Sequence, residues 1–218
     1  EMSAEQVALR LLSSEANIDS HRMRIGMVSE TEHQRELDAI GLLSELPIYI
    51  DDSPIQGVVE MRSKARRLKV ERGIDLLIID YLQLMQHRND NRVQEIGEYT
   101  RSLKGLARDL DIPLLACSQL SRAPEQRPSH RPILSDLRES GSIEQDADVV
   151  AFIYREDIYT TQEEWEKTNP TERYPENVAE IIISKHRNGP TGSIPLYFRK
   201  DVVKFESLEK PLSTRELA

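Results

Sequence analysis

The chain has 218 residues, 38% of them hydrophobic, and a net charge of −9. That length supplies one full core without demanding two domains, and the acidic balance excludes a protein that coats nucleic acid over its whole surface while leaving room for a local basic channel. The single cysteine, Cys117, excludes an internal disulfide framework and fits a reducing cytoplasm, and no apolar stretch reaches membrane-span length or reads as a secretory signal.

Ser3 followed by Gln6 reads as a capping box, opening a helix with Val7, Leu11 and Leu12 on one face. Residues 17–20 are a break, and residues 32–43 are helical. Residues 46–50 predict a short strand ending in Asp51 and Asp52. Ser53 then caps a helix with Pro54 at its first position. Val58, Met61, Ala65 and Leu68 recur along that helix at helical spacing, and Gly73 closes it.

Residues 74–80, IDLLIID, form a nearly continuous apolar run, as in a strand buried on both faces of a parallel sheet. A helix follows over residues 91–110 and a second buried strand over 112–118, where Cys117 reads as a small buried hydrophobe. Residues 149–154 are the next buried strand. This alternation argues for a doubly wound α/β sheet. Residues 179–185 and 193–198 then read as a hairpin around Arg-Asn-Gly-Pro-Thr-Gly, with a third strand over 202–205. Residues 156–177 are polar and contain Pro170 and Pro175, as in a surface insertion.

Four groups of residues bear on chemistry. Residues 135–155, SDLRESGSIEQDADVVAFIYR, join a polar loop to an apolar strand, as where a scaffold strand holds a working loop. Asp80 ends one strand and Gln119 follows the next, at the strand ends where open α/β sheets place ligands. An apolar run ending in Asp also describes a strand that merely stops, and a strand-end amide also describes a backbone hydrogen bond. Lys185 and Arg187 alternate around His186, which puts both cations on one face suited to a polyphosphate; a solvated hairpin end has the same pattern. Arg92, Arg122, Arg127, Arg131 and above all Arg138 are candidates for phosphate contact, with accessible amides around Ser140, Gly141 and Ser142. The six cations between Arg62 and Arg72 read instead as the outer face of an amphipathic helix.

These motifs, in this order, resemble the C-terminal motor domain of DnaB-type replicative helicases. The matching runs are EMS at the start, LLIIDYLQLM, NRVQEIGEYTRSLKGLARDL, SQLSR, SDLRESGSIEQDAD and KHRNGP, which together cover nearly the whole chain. The resemblance implies an α/β, RecA-like P-loop NTPase fold: a mostly parallel sheet with antiparallel C-terminal hairpin strands. It would occupy residues 1–210, with a tail over 211–218. It implies ATP and Mg²⁺ as cofactors and single-stranded DNA as substrate. It also implies a homohexameric ring, with primase and a helicase loader as partners and no membrane. Asp80 looks like the Walker B aspartate that holds Mg²⁺, and Gln119 like the residue coupling the γ-phosphate to the DNA loops. Arg138, Glu139 and Gly141 match the DNA-contacting loop. Lys185 and Arg187 match the pair reaching the neighbouring subunit's ATP, Arg187 as arginine finger. Glu1 aligns with the glutamate that activates the attacking water.

The departure from the family is the phosphate-cradling loop. No G-x-x-x-x-G-K-S/T run occurs in these residues, and the first residue is Glu1. The sequence therefore reads as part of a helicase, inactive as an ATPase by itself. Two other readings remain: another RecA-fold ATPase, and a non-catalytic truncated module that joins rings or binds single-stranded DNA.

Overall fold

The computed structural model describes residues 2–53, 57–85, 92–137 and 141–208, with the backbone alone for residues 92–94. Its contacts group into two compact units. The first holds the described residues of Glu1–Ala4, Pro47–Val150 and Ser184–Pro190, and the second those of Glu5–Leu46 and Ala151–Ile183 and from Thr191 on.

The second unit opens with helices α1 (Ala4–Ala16), α2 (Ser20–Arg24) and α3 (Glu30–Glu45). Ala16, Ile18, Met23 and Ala39 form its helical core, with Leu9, Leu12 and Val28 packed against them. The break between α1 and α2 has a physical cause: Asn17 takes a left-handed φ of 52°, and the Asp19 side chain caps α2 by accepting from the Arg22 N–H. The third helix starts two residues earlier than its apolar pattern suggests. Ser29 and Glu32 form a reciprocal capping box, which satisfies donors at its first turn.

In the first unit, α4 (Val58–Arg72) ends at Gly73, whose φ of 73° is the left-handed conformation that glycine adopts without penalty. Strands β1 (Leu77–Ile79) and β2 (Leu114–Ala116) pair in parallel, with α5 (Arg92–Leu110) between them in sequence. Ala65 of α4 and Leu106 and Leu110 of α5 pack with Ile112, against Ile74, Leu77 and Leu114. The short helix α6 (Gly141–Asp146) follows.

Strands β3 (Val149–Tyr154), β4 (Val178–His186), β5 (Gly192–Arg199) and β6 (Lys204–Ser207) form one sheet in that order. The last three are antiparallel neighbours, with Ile181 opposite Ile194 and Phe198 opposite Phe205. The α/β class, the parallel pairing and the antiparallel C-terminal hairpin therefore stand as the sequence predicts. The third strand lies slightly later than expected, over Lys204–Ser207. Val202, just before it, is fully buried.

Four expectations need correction. Within the described residues only one face of the β1–β2 pair is covered: Ile78 and its partner Leu115 are 58% and 55% exposed, while Ile79 is buried. Likewise β3 alternates, burying Val150, Phe152 and Tyr154 and exposing Val149 and Ile153. An apolar run records what a strand tolerates, whereas burial needs a covering element on each side. Residues 47–53 form no strand; Pro47 lacks a ladder donor, and Ile48, Tyr49 and Ile50 are exposed. Ser53 is not the cap of α4: its hydroxyl donates to Asp51 at 2.6 Å, and α4 begins after Gly57; Pro54 lies outside the described residues. Cys117 is exposed, not a core residue.

The polar segment 156–177 is more structured than a surface insertion. Thr161 and Glu164 form a capping box that opens α7 (Gln162–Thr168). The Asp157 side chain is covered; it receives Arg155 at 2.7 Å, Lys200 at 3.3 Å and the Asn177 N–H at 3.1 Å. The Arg155 guanidinium also lies over the Phe198 ring, 4.9 Å from its centre.

Candidate functional site

Parallel pairing of β1 and β2 fixes where Asp80 and Gln119 stand. The Cys117 N–H donates to the Ile79 carbonyl at 2.8 Å, extending the ladder to the strand ends, and the Leu82 N–H returns to the Cys117 carbonyl at 3.0 Å. Both chains thus leave the sheet at the same end, with Asp80 one residue past β1 and Gln119 three past β2. The Asp80–Tyr81 peptide is cis, and a 3₁₀ turn, Leu82–Leu84, follows.

Two contacts tie this edge together. The Gln83 side chain joins the two loops: its Nε2 donates to Ser118 Oγ at 3.0 Å, and its Oε1 accepts the Gln119 N–H at 3.2 Å. Cys117 lies beside Asp80. Partial desolvation at this edge, the Asp80 charge and a hydrogen bond to Asp80 all raise the thiol's pKa, so it stays a neutral donor to the carboxylate. Among the described residues no group of three or more His, Cys, Asp or Glu is placed to hold a metal. Asp80 offers a carboxylate at a strand end, a donor that suits Mg²⁺ held partly by phosphate and water.

Lys185 and Arg187 gather around a different element, the C-terminal end of α6. Lys185 Nζ donates to the carbonyls of Glu144 and Gln145. Arg187 pairs with the Asp148 carboxylate at 3.0 Å, and its backbone N–H donates to the Asp148 carbonyl at 2.8 Å. From α5, Thr100 Oγ1 donates to the Asp146 carboxylate at 2.6 Å, and Lys104 Nζ reaches both the Asp146 carbonyl at 2.6 Å and the Asp148 carboxylate at 2.9 Å. Cations at a helix C-terminus satisfy its orphan carbonyls and complement its dipole. Thr100 and Lys104 were not legible as site residues, because a Thr and a Lys four apart on an amphipathic helix read as its solvent face. The His186 ring packs over Gly189, where a Cβ would overlap it.

Gly141, the first residue of α6, is the described member of the predicted DNA loop; Arg138 and Glu139 lie outside the described residues, as does Glu1. Close packing positions α6. A Cβ on Gly97 of α5 would lie 3.2 Å from Ser142 Oγ, so glycine there lets α6 approach. Arg92 opens α5, and only its backbone is described. Arg122 is exposed in the loop after β2.

Arg127 is a correction. It holds Asp136 through both guanidinium nitrogens, at 3.0 and 2.5 Å, and donates to the Arg131 carbonyl at 2.8 Å. With Asp136 buried, this is a structural ion pair rather than a phosphate ligand. Among the described residues, three of the six α4 cations are ion-paired within the protein: Arg62 and Arg66 share Asp109 of α5, and Lys64 meets Asp51 at 2.8 Å and Glu60 at 3.1 Å.

Comparison with known proteins places this geometry in context. The DnaB-like helicase C terminal domain family matches residues 1–207. The chain is 48% identical over 213 residues to the replicative DNA helicase DnaB of Geobacillus stearothermophilus, covering 96% of this chain and 45% of that protein. It is equally similar, 48% over 213 residues with the same coverage, to the replicative DNA helicase DnaC of Bacillus subtilis. The chain thus spans about half the length of the curated relatives it matches. A solved ATPase domain superposes with a TM-score of 0.87 at 39% identity, over 96% of this chain and 72% of that one. A solved DnaB-like replicative helicase, described with its interactions with primase, gives 0.86 at 38%, over 96% and 49%.

Proposed function

The chain belongs to the DnaB-like helicase C-terminal domain family, and from that premise we propose that it is the motor part of a replicative DNA helicase. That helicase couples ATP hydrolysis to movement along single-stranded DNA and to duplex unwinding. The observation that carries this reading is the pair of strand ends. A carboxylate and an amide leave two parallel strands at one edge, tied through Gln83, in the arrangement that serves nucleotide chemistry in α/β sheets.

Each residue then has a task. When bound, Mg²⁺-ATP supplies the γ-phosphoryl group and the charge that must be neutralised. Asp80 offers anionic oxygens to the metal, and the Cys117 thiol beside it helps fix the carboxylate. Gln119 starts from a backbone held through Gln83, so its side chain senses the phosphate end from a fixed origin. Lys185 and Arg187 serve in trans, reaching the nucleotide of the neighbouring subunit in a homohexameric ring. Arg138, Glu139 and Gly141 follow the DNA backbone, with Arg92 and Arg122 as further phosphate contacts and Glu1 activating the attacking water. Primase and a loader are the partners this reading assigns.

The test is ATP hydrolysis by the full-length protein that contains this chain, with and without single-stranded DNA. Asp80→Asn should lower the DNA-stimulated rate by roughly 100-fold or more, the scale of removing one preorganised charge-stabilising group. An Asp80→Asn protein that keeps most of its rate would remove Asp80 from the site.

A further inference from the structure

Asp148 occupies an unusual electrostatic position. Its carboxylate is shared by Lys104 at 2.9 Å and Arg187 at 3.0 Å, and Arg108 adds a third positive charge nearby. The Lys104 hydrogen bond, then the charges of Lys104, Arg187 and Arg108, hold its pKa below the ordinary carboxylate range. The two partners differ in how they are held. Lys104 is mostly covered and also anchored on the Asp146 carbonyl at 2.6 Å. The Arg187 side chain is 47% exposed, and among the described residues its contact beyond Asp148 is a 3.5 Å approach to the Gln145 carbonyl. Lys185, two residues before Arg187, is committed to the end of α6.

Three physical consequences follow. An ion pair this exposed contributes little to folding, so it exchanges readily. A carboxylate offers one charge, whereas a polyphosphate offers several and accepts an arginine fork in bidentate fashion. If Arg187 leaves, Lys104 still neutralises Asp148, so departure strands no uncompensated charge.

We infer that Asp148 is an internal counter-anion for Arg187: it holds the guanidinium until a nucleotide phosphate displaces it, and Lys104 remains on Asp148 afterwards. This rests on the proposal that Arg187 reaches a nucleotide. It adds a positioning residue, Asp148, that touches neither nucleotide nor DNA and tunes when Arg187 is available.

The experiment is a double-mutant cycle on the assembled full-length protein, reading the affinity of a non-hydrolysable ATP analogue by calorimetry. Asp148→Asn should tighten binding by about 3- to 10-fold, because the analogue no longer competes with an internal anion. In an Arg187→Ala background the same change should shift affinity by less than about 2-fold. Asp148→Ser should repeat the gain, and Asp148→Glu should stay near the parent. Equal tightening in both backgrounds would mean that only long-range charge is at work and would overturn the inference. No tightening, with the parent melting temperature retained, would also overturn it. A parent protein that binds the analogue but is unaffected by Arg187→Ala would instead refute the nucleotide role of Arg187, and the inference with it. Failure of the parent to bind would refute the proposed function itself.

Discussion

The Gln119 backbone N–H donates to Gln83 Oε1 at 3.2 Å, while Gln83 Nε2 lies 3.4 Å from the Gln119 carbonyl. One side chain thus spans the loops leaving two neighbouring strands. Gln83→Leu removes that bridge while preserving bulk. Each lost hydrogen bond costs about 1 kcal/mol, so the melting temperature should fall by only a few degrees. Hydrolysis should fall by about 10-fold or more, because a small misplacement of Gln119 is amplified in the transition state. The check is melting and steady-state ATPase measured on the same full-length variant.

Arg127 and Asp136 make a structural ion pair in the loop between β2 and α6. The Asp136 side chain is 2% exposed and also accepts the Ile133 N–H at 2.8 Å. Asp136→Asn leaves Arg127 without its counter-charge, and breaking such a pair costs about 3 kcal/mol or more. Denaturant unfolding should show this loss. Arg127→Ala should destabilise comparably and should not reduce the salt dependence of DNA binding, as loss of a phosphate contact would.

Gly97 sets the spacing between α5 and α6. Gly97→Ala gains up to about 1 kcal/mol of helix propensity, which the contact with Ser142 opposes. Gly97→Val has no such compensation and should destabilise by about 1–3 kcal/mol through overpacking. Because α6 carries Gly141, the valine variant should also weaken single-stranded DNA binding, which a fluorescence titration at fixed salt would detect.

Glu32 supplies a pH prediction away from the site. Arg22 grips its carboxylate through two 2.7 Å hydrogen bonds and the Ser29 N–H adds another at 2.9 Å, holding its pKa at about 2. A carboxylate depressed on folding stabilises the fold fully above its unfolded pKa, and that contribution is lost as pH falls through the folded value. The window therefore runs from about 4.5 down to about 2. Carboxyl NMR should find Glu32 titrating near pH 2 in the parent and markedly higher in Arg22→Ala. Glu32→Gln should flatten the pH dependence of stability within that window.

Much of the fold was legible locally. Glycine at 73 ends α4, because a left-handed residue terminates a helix wherever it occurs. Alternation and a turn-rich hexapeptide were enough to read β4 and β5 as a hairpin. Asp80 and Gln119 were legible because strand ends host ligands, and the parallel pairing of β1 with β2 brings them to one edge. Other features were not. Arg127 read as a surface cation until Asp136, nine residues on, was seen to bury its charge. Cys117 read as core because its neighbours are apolar, yet its side chain lies at an exposed strand end beside Asp80.

By itself, then, the amino-acid order determined what depends on neighbours within a few residues: helix periods, caps, turns, and which residue types stand at strand ends. The tertiary structure alone decided which of those residues meet. Lys104 and Arg187 lie 83 positions apart in the sequence and share one carboxylate at Asp148. Gly97 admits Ser142, which brings α6 against α5. The reason is physical: periodicity and propensity act over one or two turns, whereas charge pairing and burial depend on whichever distant element packs alongside.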